Sequence, residues 1–166
     1  MMGRYKKNED RQEQFAKWIL AHRLLPAWKA LSFQARDAYF HLAIRCFAET
    51  AERTGRARNN NGEIFRSSRD LSEDMGCSIK TALSALADLQ AKGWIVCSSP
   101  WERGIEGKGK APHFRLTMMP TAKAAATKDP KRWEEGNDFP VSVFRKHLPS
   151  SRKGRAARFT SKKPPS

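Results

Sequence analysis

Apolar side chains recur every three or four residues over two stretches at the start of the chain, which is the period of one helix face. The first stretch begins after Asp10 and reaches Pro26, which disfavours helix continuation unless a new helix begins there. The second follows Ser32, a good N-cap, and extends toward Gly55. We expect both faces to pack within the domain, although the first could also supply a homodimer contact. The inward positions are Phe15, Trp18, Ile19, His22 and Leu25, then Ala35, Ala38, Tyr39, Leu42, Ala43, Cys46 and Phe47.

Two short helices separated by a glycine turn are predicted in the middle of the chain. Ser68 should cap the first helix over Arg69–Met75, and Gly76 should end it, since glycine readily adopts the left-handed conformation of a helix C-terminus. Ser78 should cap the second helix, which Gly93 ends. The residues expected to point inward from the second helix are Ile79, Ala82, Leu83, Leu86 and Leu89 or Gln90.

Three strands are predicted around this helix pair from β-branched and aromatic residues. They are Glu63–Ser67, Trp94–Cys97 and Phe114–Met118, and the last two enclose a basic, glycine-rich loop over 98–113. A strand, two helices and a hairpin follow one another in this order in a winged helix-turn-helix, where one helix enters the DNA major groove. The predicted fold is therefore mainly α with a small antiparallel sheet, a winged helix-turn-helix with basic flexible tails.

The pattern divides the chain into four segments. We assign 1–8 to a flexible arm, 9–119 to the winged-helix domain with its N-terminal helix, and 120–144 to a linker with a short docked segment. Segment 145–166 is rich in Ser, Gly, Pro and basic residues and has no acid, so we expect a disordered tail that contributes electrostatic contacts. Its basic residues are Arg145, Lys146, Arg152, Lys153, Arg155, Arg158, Lys162 and Lys163.

Composition favours a polyanionic partner, most often nucleic acid. The 166 residues carry a formal net charge of +15. A basic solubilising tail on an unrelated domain is the alternative. Cys46, Cys77 and Cys97 are widely spaced and odd in number, which favours reduced thiols over a disulfide framework or a zinc site. Neither a signal peptide nor a membrane span is visible, so we expect a cytoplasmic, nucleoid-associated protein.

The first two turns of the second helix carry the candidate base-reading residues. Lys80 can reach guanine acceptors or a phosphate, and Thr81 and Ser84 offer hydroxyls to bases or backbone. Ala85 is small enough to approach a thymine methyl group closely. Ser78 is ambiguous because its hydroxyl also caps the helix. A solvated amphipathic face is the alternative interpretation of the same residues.

Basic and hydroxyl side chains on both sides of the helix pair are candidates for contacts to the DNA backbone. Arg66, Ser67 and Arg69 lie before or at the start of the first helix, where a helix N-terminus favours phosphate. Ordinary surface arginines are the alternative. Glycines let the loop between the last two strands approach another chain closely. The candidate residues of this loop are Arg103, Lys108, Lys110 and His113.

Signatures of catalysis are weak. Gly104–Ala111 fits the spacing of a phosphate-binding loop but ends in Ala, where such a loop needs Ser or Thr, and Pro112 and a strand follow instead of a helix. The histidines lack metal-ligand spacing. We therefore predict no enzymatic activity, no cofactor, no metal and no small-molecule ligand.

Three segments of the chain resemble a known class of winged-helix proteins. They read LLPAWKALSFQARDAYFHLAIR, NNGEIFRSSRDLSEDMGCSIKTALSALADLQAKGWI and GKGKAPHFRLT. They look like winged-helix proteins of proteobacterial genomes and mobile elements, related in fold to MarR-type regulators and to plasmid replication initiators. The resemblance covers roughly Leu24–Thr117 and implies that the helix at Ser78–Lys92 enters the major groove.

The function expected from the sequence is sequence-specific binding of double-stranded DNA, with transcriptional regulation as the leading role. Replication initiation or maintenance of a plasmid or mobile element, through origin repeats, is the first alternative. An RNA-binding or nonspecific nucleoid-associated protein that acts through its basic tail is the second.

Overall fold

A computed structural model of the protein describes residues 19–47, 59–100 and 110–142. These residues form several helices and a small three-stranded antiparallel sheet, which confirms the predicted combination of elements. The sheet order is β1-β3-β2, so the strand before the helix pair joins the hairpin after it, as predicted. In chain order the elements are α1 (Leu20–Leu24), α2 (Pro26–Lys29), α3 (Phe33–Ala43), β1 (Ile64–Phe65), α4 (Ser68–Asp74), α5 (Ile79–Ala91), β2 (Ile95–Ser99), β3 (His113–Leu116) and a 3-10 helix, η1 (Asp129–Lys131).

The first predicted helix is described only near its C-terminal end. Residues 10–18 lie outside the described part, and the five residues of α1 include no buried side chain. Pro26 opens α2 at its first helical position, where proline's missing N–H is not needed. The first helix therefore ends before this proline, and a new helix begins at it.

Helix α3 begins as predicted but ends earlier than expected. The Ser32 hydroxyl accepts a hydrogen bond from the Ala35 N–H at 3.2 Å, which is the predicted N-cap. The helix ends at Ala43, not near Gly55. The reason is that the Asn60 side chain binds the chain just beyond the helix: its Oδ1 accepts from the Phe47 N–H at 2.7 Å.

The helix pair α4–α5 has the predicted glycine turn, with one change of cap. Ser67, not Ser68, is the N-cap of α4, because its hydroxyl accepts from the Asp70 N–H at 3.1 Å while Ser68 is already helical. Gly76 has φ +61° and Gly93 has φ +75°, so both glycines take the left-handed conformation expected where helices end.

Trp94 lies at the centre of the core, between the helices and the sheet. Its side chain is fully buried, and its ring meets those of Trp28 and Tyr39 edge to face, with centroid distances of 4.9 and 5.3 Å. Such aromatic pairs contribute about 0.5–1.5 kcal/mol beyond the burial of their area. The remaining core comes from α3, α4, α5 and the inner face of the sheet: Leu42, Leu71, Leu86, Leu89, Ile64, Ile95, Phe114 and Leu116.

The segment after the sheet is packed against the domain, more extensively than the predicted linker. Trp133 is buried and Phe139 is half-buried. Asp129 and Pro130 are also buried. The cause is a return of the chain to the C-terminal end of α5, where the Phe139 N–H donates to the Ala91 carbonyl at 2.8 Å.

Within the described ranges, none of the helices is both long enough and apolar enough to cross a membrane.

Candidate nucleic-acid interface

Helix α5 presents a polar face at its N-terminal end. Ser78, Lys80 and Ser84 are exposed, and Thr81 is half-buried. Lys80 and Ser84 are four residues apart and therefore share one face of the helix. The structure thus places four of the five predicted base-reading residues where a large ligand could reach them.

Ala85 is the exception, and its prediction as a base-reading residue was wrong. Only 1% of its surface is exposed, and it belongs to the inner face of α5. It lies three and four residues from Ala82 and Leu89, which are fully buried, so it continues their stripe along the helix. Because α5 packs on α3, this position contacts the domain's own core and cannot contact a base.

Ile79 departs from the sequence expectation in the opposite direction. It was expected to point into the core, but 45% of its side chain is exposed. The reason is its position as the first residue of α5, beside the exposed Ser78 and Lys80, where the helix has left the core. The helical period alone could not show this, because it says which residues share a face but not where the covering elements end.

The Ser78 and Thr81 side chains are coupled to each other at the start of α5. Ser78 Oγ accepts from the Thr81 N–H at 3.1 Å and lies 2.9 Å from Thr81 Oγ1. The ambiguity of Ser78 is therefore decided in part, because its hydroxyl caps the helix. Substitution of either residue would perturb the helix start as well as any contact to DNA.

Arg66 has a role inside the domain that its predicted phosphate contact did not anticipate. Its guanidinium binds the Asp74 carboxylate through two nitrogens, at 2.9 and 2.7 Å, and lies 3.7 Å from Asp70. The hydrogen bond with Asp74 raises the pKa of Arg66. Arg66 thus ties the end of strand β1 to the C-terminal end of α4, and its predicted phosphate contact stays a prediction. Its charge is already matched by acids of the domain.

Asp74 joins Arg66 to a second arginine. Partial burial alone would raise the pKa of Asp74, but the hydrogen bond from Arg66 and the nearby Arg45 hold it below its ordinary value. Arg45 lies 3.2 Å from the same carboxylate. The negative charge that Asp74 adds beside the candidate interface is thus compensated within the domain.

The other two predicted backbone contacts near α4 keep their expected places. Ser67 is half-buried and caps α4, and Arg69 is exposed on the first turn of that helix. Arg69 is therefore exposed to a phosphate, whereas the Arg66 guanidinium is bound to Asp74. The distinction between these two arginines comes from tertiary partners, and nothing in their local sequence reveals it.

The loop of the hairpin is described only at its ends. Lys110 is exposed, and His113 is half-buried with its ring edge-to-face on Phe65 at a centroid distance of 6.2 Å. Arg103 and Lys108 lie outside the described residues, as do all the basic residues predicted for the tail over 145–166. Their roles stay predictions.

The candidate metal ligands within residues 19–47, 59–100 and 110–142 are dispersed. Those ranges contain no group of three or more His, Cys, Asp or Glu side chains placed to hold a metal ion. Cys46, Cys77 and Cys97 are free and half-buried. Burial raises the pKa of the Cys46 thiol to about 11, which keeps it protonated and unreactive near neutral pH.

Comparisons with known proteins identify no relative of this chain. No protein-family model, curated protein or solved structure matches the chain. The winged-helix resemblance therefore stays a prediction, and the case for function depends on the α4–α5 pair and the sheet beside it.

Proposed function

We propose that 64–116 form a winged helix-turn-helix that binds double-stranded DNA, with α5 in the major groove. The observation that carries the proposal is the exposed polar start of α5, formed by Ser78, Lys80 and Ser84, directly after the α4–Gly76 turn. A recognition helix contacts base edges through its N-terminal residues. The sheet order β1-β3-β2 supports the same interpretation, because it sets a hairpin beside this helix pair.

Charge supports a polyanion as the ligand of this surface. The chain carries a formal net charge of +15, and Arg69, Lys80 and Lys110 are exposed in the helix pair and the hairpin. Asp74, which would repel phosphate, is bound by two arginines. In this proposal Arg69 and Lys110 contact phosphates and set the register, while Lys80 and Ser84 read bases.

The biological role that follows is regulation of transcription through a specific DNA site. The same binding mode would serve replication or maintenance of a mobile element if the sites are origin repeats. The positions of the bound sites in the genome separate these two roles, since promoters indicate regulation and an origin indicates initiation. A nonspecific or RNA-binding protein would show no enriched duplex motif.

A selection of genomic duplex fragments with the purified full-length protein, at two salt concentrations, tests the proposal. We expect an enriched motif for the wild type and its loss in a Lys80→Ala/Ser84→Ala variant. Lys131→Ala is the matched control: it also removes one exposed positive charge, from η1, which lies beside Gly93 at the other end of α5. A helix of 13 residues separates the two ends by about 20 Å.

The outcomes are distinct. A motif that survives in the control and disappears in the double variant supports base reading by α5. Binding should also weaken with salt, with a slope of about −0.9 in log K against log salt for each neutralised phosphate. Uniform binding that ignores the double variant and fades with salt would reject the proposal in favour of a nonspecific nucleic-acid-binding protein.

A further inference from the structure

Ile79 is an exposed apolar side chain at the start of α5, next in the chain to polar residues assigned to DNA. It stands between the exposed Ser78 and Lys80 as the first residue of α5, with 45% of its surface exposed. The neighbouring turn residues Met75 and Cys77 pack against the core, so the backbone that carries Ile79 is anchored. Its exposed part is therefore presented at a defined position.

We propose that Ile79 packs against the 5-methyl group of a thymine in the major groove, and that the protein selects thymine over other pyrimidines there. This inference rests on the proposed function and adds a specificity-determining residue to it. The major-groove edges of unmodified base pairs offer hydrogen-bond donors and acceptors and one apolar group, the thymine methyl. An apolar side chain at the start of a helix in that groove has this group as its matching partner.

The surroundings of Ile79 favour DNA over an apolar protein partner. Its sequence neighbours on α5 are a hydroxyl and an ammonium group, and Ser84 continues the polar face one turn further along. A protein-binding surface would need a contiguous apolar patch at its centre, whereas the exposed residues on either side of Ile79 in the chain are polar. The exposed Arg69 and Lys80 add the positive charge that phosphates on either side of a groove require.

Ile79 takes the role that the sequence analysis assigned to Ala85. Ala85 was the predicted partner of a thymine methyl, but it is buried in the core. Ile79 lies six residues closer to the N-terminus of α5, the end that reaches base edges in helix-turn-helix complexes. Its larger apolar surface gives a methyl group more to contact than an alanine would.

The test is a double-mutant cycle that combines the removal of one methyl group from the DNA with the truncation of one side chain of the protein. The duplex selected by the wild-type protein is resynthesised with each thymine replaced in turn by deoxyuridine, which removes only the methyl group. At one position we expect about a fourfold loss of wild-type affinity, the effect of burying one methyl-sized group. The Ile79→Ala variant should bind the thymine and deoxyuridine duplexes equally at that position.

Leu20→Ala is the matched control, because Leu20 is 70% exposed but lies in α1, outside the helix pair. This variant should keep the full discrimination between thymine and deoxyuridine, and thermal unfolding should show that both variants are folded. Equal losses in the wild type and Ile79→Ala at every position would overturn the inference and leave DNA binding intact. Failure to select any duplex motif would instead overturn the proposed function itself.

Discussion

The side chain of Asn61 pairs with the backbone of Leu116 as a further strand residue would. Asn61 Oδ1 accepts from the Leu116 N–H at 2.7 Å, and Asn61 Nδ2 donates to the Leu116 carbonyl at 2.9 Å. The same amide nitrogen donates to the Met119 carbonyl at 2.9 Å. Asn61 therefore extends the short β1–β3 ladder and holds the exit of β3 against the turn that precedes β1.

Replacement of Asn61 by alanine should destabilise the domain. Asn61 is 5% exposed, so its loss leaves the N–H and carbonyl of Leu116 buried without these partners. We expect the free energy of unfolding to fall by about 3 kcal/mol, measured by urea denaturation. Asn137→Ala, at an exposed asparagine, is the control and should change it by less than about 0.5 kcal/mol. Similar effects for the two variants would show that the Asn61 pairing is not a stabilising contact.

Gly93 and Gly76 form a matched pair of glycines for a second stability test. Both have positive φ, which disfavours an L side chain by about 1–2 kcal/mol. A Cβ at Gly76 would meet open space, whereas a Cβ at Gly93 would lie 2.7 Å from the Phe139 ring. We expect Gly76→Ala to lower the free energy of unfolding by about 1 kcal/mol and Gly93→Ala by about 3 kcal/mol, in chemical denaturation.

The extra effect at Gly93 should depend on Phe139. In a Phe139→Ala background the clash with the ring is absent and only the Asp129 Cβ stays close, at 3.0 Å. Gly93→Ala should then cost less than it does in the wild type, and its cost should approach that of Gly76→Ala. Additive effects of the two substitutions would mean that the segment after β3 does not pack on Gly93.

Acid should weaken the contact between α3 and α5 through Asp88. Its carboxylate accepts from the Ser32 N–H at 2.9 Å and lies 3.0 Å from Lys92 Nζ. Partial burial raises the pKa of Asp88, but these hydrogen bonds outweigh it and hold the pKa below its ordinary value. Because the folded pKa is below the unfolded value of about 3.9, the stabilisation is present above that value and is lost as the pH falls through the folded pKa.

Asp88→Asn is the variant that checks this dependence. We expect it to lower the free energy of unfolding at pH 7 by about 1–2 kcal/mol, because an amide accepts a weaker hydrogen bond and cannot pair with Lys92. The difference from the wild type should shrink below about pH 4, in urea denaturation over a pH series. A difference that is constant from pH 7 to pH 2 would contradict an ionised Asp88 as its source.

Substitutions of Arg69 and Arg66 should have different effects: the first on DNA affinity and the second on the free energy of unfolding. Arg69→Ala removes an exposed charge, so we expect unchanged thermal unfolding, weaker binding to every duplex, and a salt slope reduced by about 0.9. Arg66→Ala leaves Asp74 without its two-nitrogen partner and should lower the free energy of unfolding by about 1–2 kcal/mol.

In the folded fraction, Arg66→Ala should bind DNA with nearly wild-type affinity. Fluorescence anisotropy with one labelled duplex at several salt concentrations measures both variants. A loss of affinity for Arg66→Ala equal to that for Arg69→Ala would show that Arg66 contacts phosphate in spite of its pairing with Asp74.

The elements that the sequence predicted well are those whose signals are local. Ser32 and Ser78 cap their helices, and Gly76 and Gly93 end them, because each of these roles depends on one residue and its own backbone. The union of the three strands in one sheet was expected from the order of strand, helix pair and hairpin in a winged helix-turn-helix. The end of α3 was missed because it depends on Asn60, which binds chain 13 residues earlier.

The sequence by itself determined the helices and strands, their order and the excess of positive charge, since these follow from periodicity, caps and composition. Only the tertiary structure decided which side chains of those elements reach solvent. Ala85 is covered and Ile79 is exposed because α5 packs on α3 along most of its length and leaves the core at its first turn. Arg66 is paired because Asp74, eight residues later in the chain, contacts its guanidinium, whereas Arg69 is exposed. Burial and pairing depend on residues distant in the chain, and a local pattern does not contain them.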